Sequence, residues 1–183
     1  YGLSKLKFEN FLRKLDKKID YVILRYFNVV GAEKKLRCGF KIKKNKSIFN
    51  NLCRAFIKNK IFYIYGKNFS THDGTSVRDY IYISDLSEVH FSFAKKLLKT
   101  KLRLTLNCGY GKGYSVFEVI QKLNLIKKKK IKYYFKPKRK NDIEYSVAST
   151  KKLKKYFHFK NLKSKLEIMI NSSLLWYKKN KIN

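Results

Sequence analysis

Apolar residues recur every three or four positions at the start of the chain, and Lys and Glu fill the other positions. This pattern predicts an amphipathic helix over residues 3–15. The near-continuous apolar run over residues 21–27 predicts a strand that is buried on both faces, as is typical of parallel sheets. We expect this strand to end in a turn over residues 28–32. Ligands gather at the carboxyl ends of strands in open α/β sheets, so this turn is a candidate ligand site.

Helical and extended patterns alternate along the rest of the chain. Helical periodicity predicts helices over residues 47–58, 86–98, 116–123, 150–156 and 164–177. Apolar runs predict strands over residues 61–66, 102–107 and 131–135, and residues 71–83 form a polar turn that leads into an alternating segment. Asp85 is a predicted N-cap, and Ser115 with Glu118 is a predicted capping box. The alternation of strands and helices predicts an α/β fold.

Composition limits the class of protein. With 183 residues and 44% apolar content, the chain is long enough for one domain or one lobe of a larger protein. It contains no run of about 18 apolar residues, so we expect no membrane span. The three cysteines lack C-x-x-C spacing, which favours free thiols in a reducing cytoplasm over a zinc site. The first residue is not Met and already lies in a helical pattern, so we expect the sequence to be part of a longer chain.

The formal net charge of +33 raises the possibility of a nucleic acid or an anionic membrane as partner. Arg is a small minority of the 45 basic residues, however, whereas Lys, Asn, Ile, Phe and Tyr are abundant. These five amino acids have A/T-rich codons, and specific groove readers rely on Arg rather than on scattered Lys. We therefore interpret most of the charge as compositional drift that gives a solvated basic surface, not as a dedicated nucleic-acid site.

Tyr1 and Lys5 are a candidate pair for acid–base chemistry. Four residues apart at the start of a predicted helix, they lie one turn apart on the same face. An ammonium beside a phenol favours the phenolate and lowers its pKa from about 10 toward neutrality. The phenolate can then take a proton from a sugar or alcohol hydroxyl. Chance could produce this spacing in a chain so rich in Tyr and Lys, so the pair needs support from other motifs.

The pair belongs to a set of four ordered stretches, and the other three supply that support. The four are Tyr1-Gly2-x-Ser4-Lys5, Leu24-Arg25-Tyr26-Phe27-Asn28-Val29-x-Gly31-Ala32, Asp73-Gly74-Thr75-x-Val77-Arg78-Asp79-Tyr80-Ile81 and Asn107-x-Gly109-x-Gly111-x-Gly113-x-Ser115-Val116. In this order and spacing, the chain resembles the UDP-glucose 4-epimerases, which belong to the extended short-chain dehydrogenase/reductase superfamily. The third stretch is the most specific to the 4-epimerases, whereas Tyr-x-x-x-Lys marks only the superfamily.

The resemblance implies roles for individual residues. Tyr1 is the expected catalytic acid/base, and Lys5 is expected to bind the nicotinamide ribose of NAD and to keep the pKa of the phenol low. Phe27 is expected to lie against the nicotinamide through its backbone. Asn28 is expected to hydrogen-bond the nucleotide sugar near its diphosphate.

Further substrate contacts are implied in the same way. Asn51 and Leu52 are expected to contact the substrate through backbone and side chain. Tyr63 and Tyr65 fall where the short strand of this family meets the uracil ring, on which a Tyr ring can stack.

Arg78 is the expected diphosphate ligand, because a guanidinium fork matches phosphate oxygens better than an ammonium does. The alternative is a structural salt bridge from Arg78 to Asp79 or Asp85. Arg139 and Asp142 match a turn that closes over the diphosphate and ribose in this family. Asn141 replaces a glycine of that turn, and Asn tolerates a positive φ better than most residues.

Other candidates have weaker support. The glycine series from Gly109 to Gly113 follows a strand and precedes a helix, but its spacing is G-x-G-x-G and no acidic residue follows about 20 positions later. We interpret it as a structural loop. The histidines His72, His90 and His158 lack ligand-like spacing, so we expect no metal site.

The implied fold is the C-terminal part of a Rossmann-type parallel sheet plus a smaller α/β substrate-binding lobe. Residues 1–32 are the expected last part of the NAD-binding domain. Residues 33–183 are expected to form mainly the nucleotide-sugar lobe, with about residues 76–100 returning to the Rossmann domain.

The implied function is NAD-dependent epimerisation at C4 of a UDP-hexose, within a longer chain that forms a homodimer. The glycine-rich phosphate turn of the NAD-binding half is missing here, so we expect the 183-residue chain alone to be inactive. Two alternatives stay open: an epimerase or dehydratase for another nucleotide sugar (a uronate or an N-acetylhexosamine), and a degraded remnant that binds polyanions.

Overall fold

A computed structural model describes residues 2–15, 18–41, 47–159 and 165–180. Its helices are α1 (Gly2–Lys14), α2 (Ile48–Ile57), α3 (Ile83–Leu97), α4 (Val116–Lys127), α5 (Lys151–Lys154) and α6 (Lys165–Lys179). Its strands are β1 (Tyr21–Tyr26), β2 (Asn28–Val30), β3 (Phe62–Tyr65), β4 (Val77–Tyr82), β5 (Arg103–Cys108), β6 (Gly113–Ser115), β7 (Tyr133–Lys136) and β8 (Tyr145–Ser146). The predicted α/β class is confirmed.

The strands form three small sheets in which parallel pairing predominates. β1 pairs with β5, and β3 pairs with β7, both in parallel. In the third sheet β4 is central, with β2 and β8 parallel to it and β6 antiparallel. Parallel strands need long crossover connections, and the helices between them supply these.

The segment after β1 differs from the prediction of a turn. Asn28–Val30 is a short strand whose backbone pairs with β4 from Tyr80 to Tyr82. At the junction, the N–H of Phe27 donates to the carbonyl of Cys108 (3.1 Å). The chain thus moves from the partner strand β5 to the partner strand β4, because buried backbone groups must find hydrogen-bond partners.

The prediction that the strand at 21–27 is buried on both faces is wrong. Its side chains are half-buried at the start, and Tyr26 is 56% exposed. Among the described residues, β5 is the strand that pairs with β1, so one edge of β1 and part of its surface remain uncovered.

Helix α1 turns its apolar side chains to solvent. Leu3, Leu6, Phe8 and Phe11 are all exposed, and the buried side chain of this helix is Glu9. The Glu9 carboxylate accepts hydrogen bonds from Arg25 and Arg13, and the Arg25 hydrogen bond lowers its pKa. The amphipathic helix is therefore present, but the described residues leave its apolar face uncovered.

Helix caps decide where two of the helices begin. The Ser47 hydroxyl accepts from the Asn50 N–H at the start of α2. The predicted capping box is confirmed at α4, where the Ser115 hydroxyl accepts from the Glu118 N–H and the Glu118 carboxylate accepts from the Ser115 N–H. Asp85 is not an N-cap, because α3 begins two residues earlier and takes Asp85 into its first turn.

Two clusters of buried apolar residues form the core. The larger lies among α2, α4, α6 and strands β3 and β4, with Phe49, Tyr80 and Met169 among its members. The smaller joins α3 to β5 and includes Phe93 and Leu106, with partly buried side chains of β1 packed against it. β4 contributes to both clusters because its side chains alternate between its faces.

Within the ranges that the structure describes, no helix has the length and apolar character needed to span a membrane.

Candidate functional site

A cleft of about 250 Å³ opens beside β4 and brings together residues from distant parts of the chain. Seven of the predicted site residues line it: Asn28, Asn51, Tyr63, Tyr65, Arg78, Arg139 and Asp142. They come from β2, α2, β3, β4 and the segment between β7 and β8. The tertiary structure thus gathers in one place residues that the sequence resemblance identified separately.

Arg78 occupies one wall of the cleft and is held by two kinds of acceptor. Its Nη2 donates to the Asp142 carboxylate (2.9 Å), and its Nη1 donates to the Val77 carbonyl (2.8 Å). Both partners of the ion pair are largely buried, with side-chain exposures of 16% and 22%. A charged hydrogen bond at such a site contributes about 1.5–3 kcal/mol, which is enough to fix the guanidinium.

The alternative salt bridge from Arg78 to Asp79 or Asp85 is not what the structure shows. Asp79 Oδ1 accepts a hydrogen bond from the Tyr110 N–H, and Asp85 Oδ2 accepts one from the Tyr110 hydroxyl. The Arg78 ion pair leads instead to Asp142, which itself lines the cleft. The guanidinium therefore remains at the cleft surface.

Arg139 brings a second guanidinium to the cleft. Its central carbon lies 3.8 Å from the centroid of the Tyr65 ring, a cation–π contact that orients both groups. The turn that carries Arg139 contains Asn141 with a φ of 61°, which confirms that Asn adopts the positive φ expected in place of glycine. The Asp142 N–H closes this turn by donating to the Arg139 carbonyl (3.2 Å).

Strand β3 presents two tyrosines to the cleft. Alternation along the strand buries Phe62 and Ile64 in the core and directs Tyr63 and Tyr65 to the other face. Tyr63 is 44% exposed, and the Lys136 ammonium lies 4.1 Å from its ring centroid. An exposed tyrosine ring can stack against a planar heteroaromatic ligand.

Asn51 and Leu52, neighbours on α2, have different environments. Asn51 lines the cleft, and its Oδ1 accepts a hydrogen bond from Arg54 Nη2 (2.9 Å). Leu52 is buried in the larger core cluster and its side chain does not reach the cleft lining. A substrate contact through Leu52 stays a prediction.

A second, open hollow adjoins the carboxyl ends of β1 and β5. It is lined by Arg25, Tyr26, Phe27, Asn28, Asn107 and Ser146. Asn28 lines both the cleft and the hollow, so the two spaces adjoin at this residue. The hollow lies at the strand ends where ligands bind in open α/β sheets.

The acid–base pair is only partly described. Tyr1 lies outside the described residues, and Lys5 is an exposed residue of α1. Their roles stay predictions.

Sequence reasoning missed several lining residues of the two spaces: Ser47, Ser76, Tyr80, Asn107, Val116 and Ser146. Strand alternation could have found two of them, because Ser76 and Tyr80 lie two positions either side of Arg78 and so share its face. Asn107 was within a recognised stretch, but no local signal pointed to Ser146.

The charges around the cleft favour an anionic ligand. Burial raises the pKa of the Tyr80 phenol, so this lining residue is a neutral hydrogen-bonding group at pH 7. The charged lining residues are the guanidiniums of Arg78 and Arg139 and the carboxylate of Asp142. The lining therefore carries net positive charge, which attracts phosphate groups.

The glycine turn after β5 is not a phosphate cradle. The N–H groups of Tyr110 and Gly111 both donate to the Asp79 carboxylate, at 3.1 and 2.9 Å. A phosphate would have to compete with this carboxylate for the same donors and would be repelled by it. The geometry supports the interpretation of the turn as a structural loop.

Among the described residues, no group of three or more His, Cys, Asp or Glu side chains could hold a metal ion.

Comparison with known proteins gives consistent matches. Residues 1–109 match the model of the NAD dependent epimerase/dehydratase family. The chain is 32% identical over 179 residues to the UDP-glucose 4-epimerase of Azospirillum brasilense and covers 51% of its length. It is 34% identical to that of Bacillus subtilis over 188 residues, covering 54% of the relative. The chain thus spans about half the length of these relatives, and 96–98% of it is covered.

Solved structures agree with these matches. The UDP-glucose 4-epimerase of Stenotrophomonas maltophila, solved with bound NAD and formylated UDP-arabinopyranose, superposes with a TM-score of 0.88 at 29% identity. The enzyme of Bifidobacterium longum, in complex with NAD⁺ and UDP, gives a TM-score of 0.84 at 35% identity. Each match covers 98–99% of this chain and 55% of the solved one. By sequence and by fold, the chain belongs to the NAD dependent epimerase/dehydratase family.

Proposed function

We propose that this chain supplies the UDP-sugar-binding side of an NAD-dependent enzyme that epimerises a UDP-hexose at C4. The observation that carries the proposal is the cleft in which two guanidiniums and two tyrosine rings converge. Two cationic forks suit a diphosphate, and a tyrosine ring suits a uracil base. The Bifidobacterium longum enzyme, solved with NAD⁺ and UDP, has the same fold at 35% identity over nearly the whole of this chain.

Each lining residue has a role in this proposal. Arg78 and Arg139 bind the diphosphate. Asp142 holds Arg78 in place, and its carboxylate also accepts a hydrogen bond from a hydroxyl of the uridine ribose. Tyr65 and Tyr63 contact the uracil. The side-chain amides of Asn28 and Asn51 donate hydrogen bonds to the substrate at the two ends of the diphosphate.

The residues present fit the nicotinamide end of NAD. The hollow beside the cleft offers amide groups from Asn28 and Asn107 and the hydroxyl of Ser146. Amides and hydroxyls are suitable partners for a carboxamide and for ribose hydroxyls. Lys5 and the backbone of Phe27 would bind the same end of the cofactor. The glycine-rich turn for the pyrophosphate is not among the residues of this chain.

The chain contributes the proton-transfer groups of the reaction. When bound, NAD would supply the hydride chemistry at C4 of the sugar. The Tyr1 phenolate, which the Lys5 ammonium favours, takes the proton from the 4-hydroxyl, and the resulting phenol gives it back. The diphosphate contacts hold the nucleotide in place while the sugar presents either face, so the two guanidiniums bind without taking part in the proton transfer.

Residues 1–32 would complete the NAD-binding domain and residues 33–183 would form mainly the nucleotide-sugar lobe. The separation of the core into two clusters supports this division. The smaller cluster also contains Leu106 and Leu153, which supports extending the Rossmann side beyond residues 76–100.

We further propose that the full-length enzyme is a cytoplasmic homodimer. The free thiols Cys38, Cys53 and Cys108 support a reducing compartment. The exposed apolar face of α1 supports burial against another surface.

Isothermal titration of the chain with UDP, uridine and ADP tests the binding part of the proposal. We expect UDP to bind more tightly than either uridine, which lacks the phosphates, or ADP, which carries the wrong base. Arg139→Gln should weaken UDP binding more than uridine binding, because it removes a phosphate ligand as well as the cation–π partner of Tyr65. Equal affinities for UDP and ADP, or no UDP binding by the folded chain, would overturn the proposal.

Turnover is tested in a fusion protein. It joins this chain to the part of the Bacillus subtilis enzyme that the chain does not match. The fusion is expected to interconvert UDP-galactose and UDP-glucose. Tyr1→Phe in the fusion should lower kcat by orders of magnitude with little change in UDP-sugar affinity, because only the proton-transfer group is lost. Retained turnover in this variant would remove Tyr1 from the mechanism, and preference for a uronate or N-acetylhexosamine nucleotide would reassign the substrate.

A further inference from the structure

The carboxylate of Asp79 is completely buried, next to the cleft but facing away from it. It follows Arg78 on β4, so the two side chains point to opposite faces of the strand. Its Oδ1 accepts a hydrogen bond from the Tyr110 N–H (3.1 Å). Its Oδ2 accepts from the N–H groups of Gly111 (2.9 Å) and Ala148 (3.2 Å). One side chain thus joins β4 to two other segments.

The two segments touch the carboxylate with no space to spare. A Cβ at Gly109 would lie 2.4 Å from Asp79 Oδ2 and 2.6 Å from the Cβ of Ala148. Contacts under about 3 Å are not tolerated by fixed neighbours. The turn after β5 can therefore approach Asp79 only because residue 109 is glycine.

Both segments carry residues of the candidate site. The first begins where β5 ends, and Asn107 of β5 lines the hollow. The second contains Ser146 of β8, which also lines the hollow and pairs in register with Arg78. Upstream in the same segment, Asp142 accepts the hydrogen bond from Arg78. Asp79 and Arg78 thus hold the segment at its two ends, 148 and 142.

We propose that Asp79 is a positioning residue that fixes the position of the Arg78–Asp142 pair relative to the hollow. The inference deepens the proposed function and rests on it. Asp79 touches no ligand. It acts by holding the residue 142–148 segment and the residue 107–111 turn against β4, so that the diphosphate contacts and the sugar end of the site keep a fixed separation.

The bonding pattern requires a carboxylate. Both oxygens face N–H donors, and a carboxylate is an acceptor at both positions. An asparagine must present its NH₂ to one of these donors, so at least one segment loses its bond.

Stability alone does not explain this residue. Burial raises the pKa of Asp79 above its ordinary value, although the three N–H groups act in the opposite direction. A carboxyl whose pKa is raised on folding favours the folded state below its unfolded pKa and loses that contribution as pH rises through the folded pKa. In the folded protein the ionised form is therefore less favourable, relative to the protonated form, than it is in the unfolded chain, and the three N–H donors only partly offset its burial.

Asp79→Asn in the whole chain tests the inference, with UDP and uridine affinities and the unfolding temperature as readouts. We expect UDP affinity to fall about tenfold, as loss of one oriented charge contact would give. Uridine affinity should change little, whereas the melting temperature should fall, because at least one buried N–H loses its acceptor. Unchanged UDP affinity in the folded variant, or equal loss for UDP and uridine, would overturn the inference.

Two further variants make the test specific. Asp85→Asn is the matched control: it also removes a buried carboxylate that bonds Tyr110, but through the hydroxyl and not the backbone N–H, so the backbone of the turn stays tied to Asp79 and UDP affinity should hold. Gly109→Ala keeps the Asp79 carboxylate but pushes the turn away from it, and it should reproduce the loss for UDP. If Asp79→Asn does not fold, UDP titration of Gly109→Ala still tests the inference.

A readout without ligand separates this inference from the proposed function. In Asp79→Asn, the backbone amide NMR signals of residues 142–148 and 107–111 should shift while those of α6 stay in place. If the wild type fails to bind UDP, the function falls and these shifts still decide whether Asp79 positions the segments. Unshifted signals overturn the inference even where UDP binds.

Discussion

Arg78 illustrates how a single side chain acquires a function from its surroundings. Asp142 and the Val77 carbonyl occupy part of the guanidinium and leave the rest at the cleft surface. Arg139 is oriented by a ring rather than by a carboxylate, so its charge is not neutralised by its neighbour. The unequal partners of the two arginines leave net positive charge in the cleft.

Arg78→Lys is expected to lower UDP affinity about tenfold, because an ammonium cannot bond Asp142 and a phosphate as a planar fork does. Calorimetric titration of UDP measures it. Arg103→Lys is the control, since Arg103 pairs loosely with Asp20 at 3.9 Å, away from the cleft, and should leave the affinity unchanged. Equal affinity in Arg78→Lys and wild type would show that only the charge matters.

At the scale of elements, a carboxylate ties the loop before β4 to the start of α4. Asp73 Oδ1 accepts from the N–H (2.9 Å) and hydroxyl (2.7 Å) of Thr75, and Oδ2 accepts from the Ser115 hydroxyl. Ser115 also caps α4. Burial raises the pKa of Asp73, but these hydrogen bonds outweigh it and the net shift is downward.

The lowered pKa of Asp73 predicts a pH dependence of stability. A carboxyl whose pKa is depressed on folding stabilises the protein above its unfolded pKa of about 3.9, and this contribution is lost as pH falls through the folded pKa. The melting temperature of Asp73→Asn, measured from pH 6 to pH 3 (about the range of carboxyl titration), should therefore fall less on acidification than that of wild type. Parallel curves for the two proteins would show that Asp73 contributes nothing in this range.

Local signals predicted most of the elements but not the short ones. Periodicity located α2, α4, β3 and β5 because their apolar residues pack on one side of a regular element. It missed β6 and β8, which are three and two residues long and exist only because β4 pairs with them. The start of α3 was misplaced for a similar reason, since no side-chain cap marks it.

At the scale of the whole molecule, the surface of α1 and the edge of β1 stand out. Phe8 and Phe11 are 60% and 54% exposed on the same helix, and within the described ranges one edge of β1 has no partner strand. Contiguous apolar surface next to an unpaired strand edge promotes association.

The isolated 183-residue chain is therefore expected to self-associate, and Phe8→Glu with Phe11→Glu should reduce this in sedimentation velocity experiments. Leu98→Glu is the control, because Leu98 is 87% exposed but lies at the C-terminal end of α3 and not on α1. Sedimentation as a monomer in the wild type, or equal effects of the two changes, would contradict the expectation.

The same chain, assayed alone, is expected neither to bind NAD tightly nor to turn over UDP-galactose. The hollow offers partners for the nicotinamide end only, so most of the cofactor would remain in solvent. Fluorescence titration with NADH and a coupled turnover assay measure both properties. Measurable turnover by the chain alone would refute the expectation.

The sequence by itself determined the class of fold and the identity of the candidate residues, because periodicity and ordered motifs are local properties of a chain. It could not determine which of them meet. Arg78 and Asp142 are 64 residues apart, and Asp79 is 69 residues from Ala148. Such contacts depend on how β4 pairs with its neighbours, a choice made by burial and backbone pairing across the whole molecule. The tertiary structure alone decided that the cleft and the buried Asp79 meet at β4, and that β2 and β8, which pair with β4, bring Asn28 and Ser146 to the hollow.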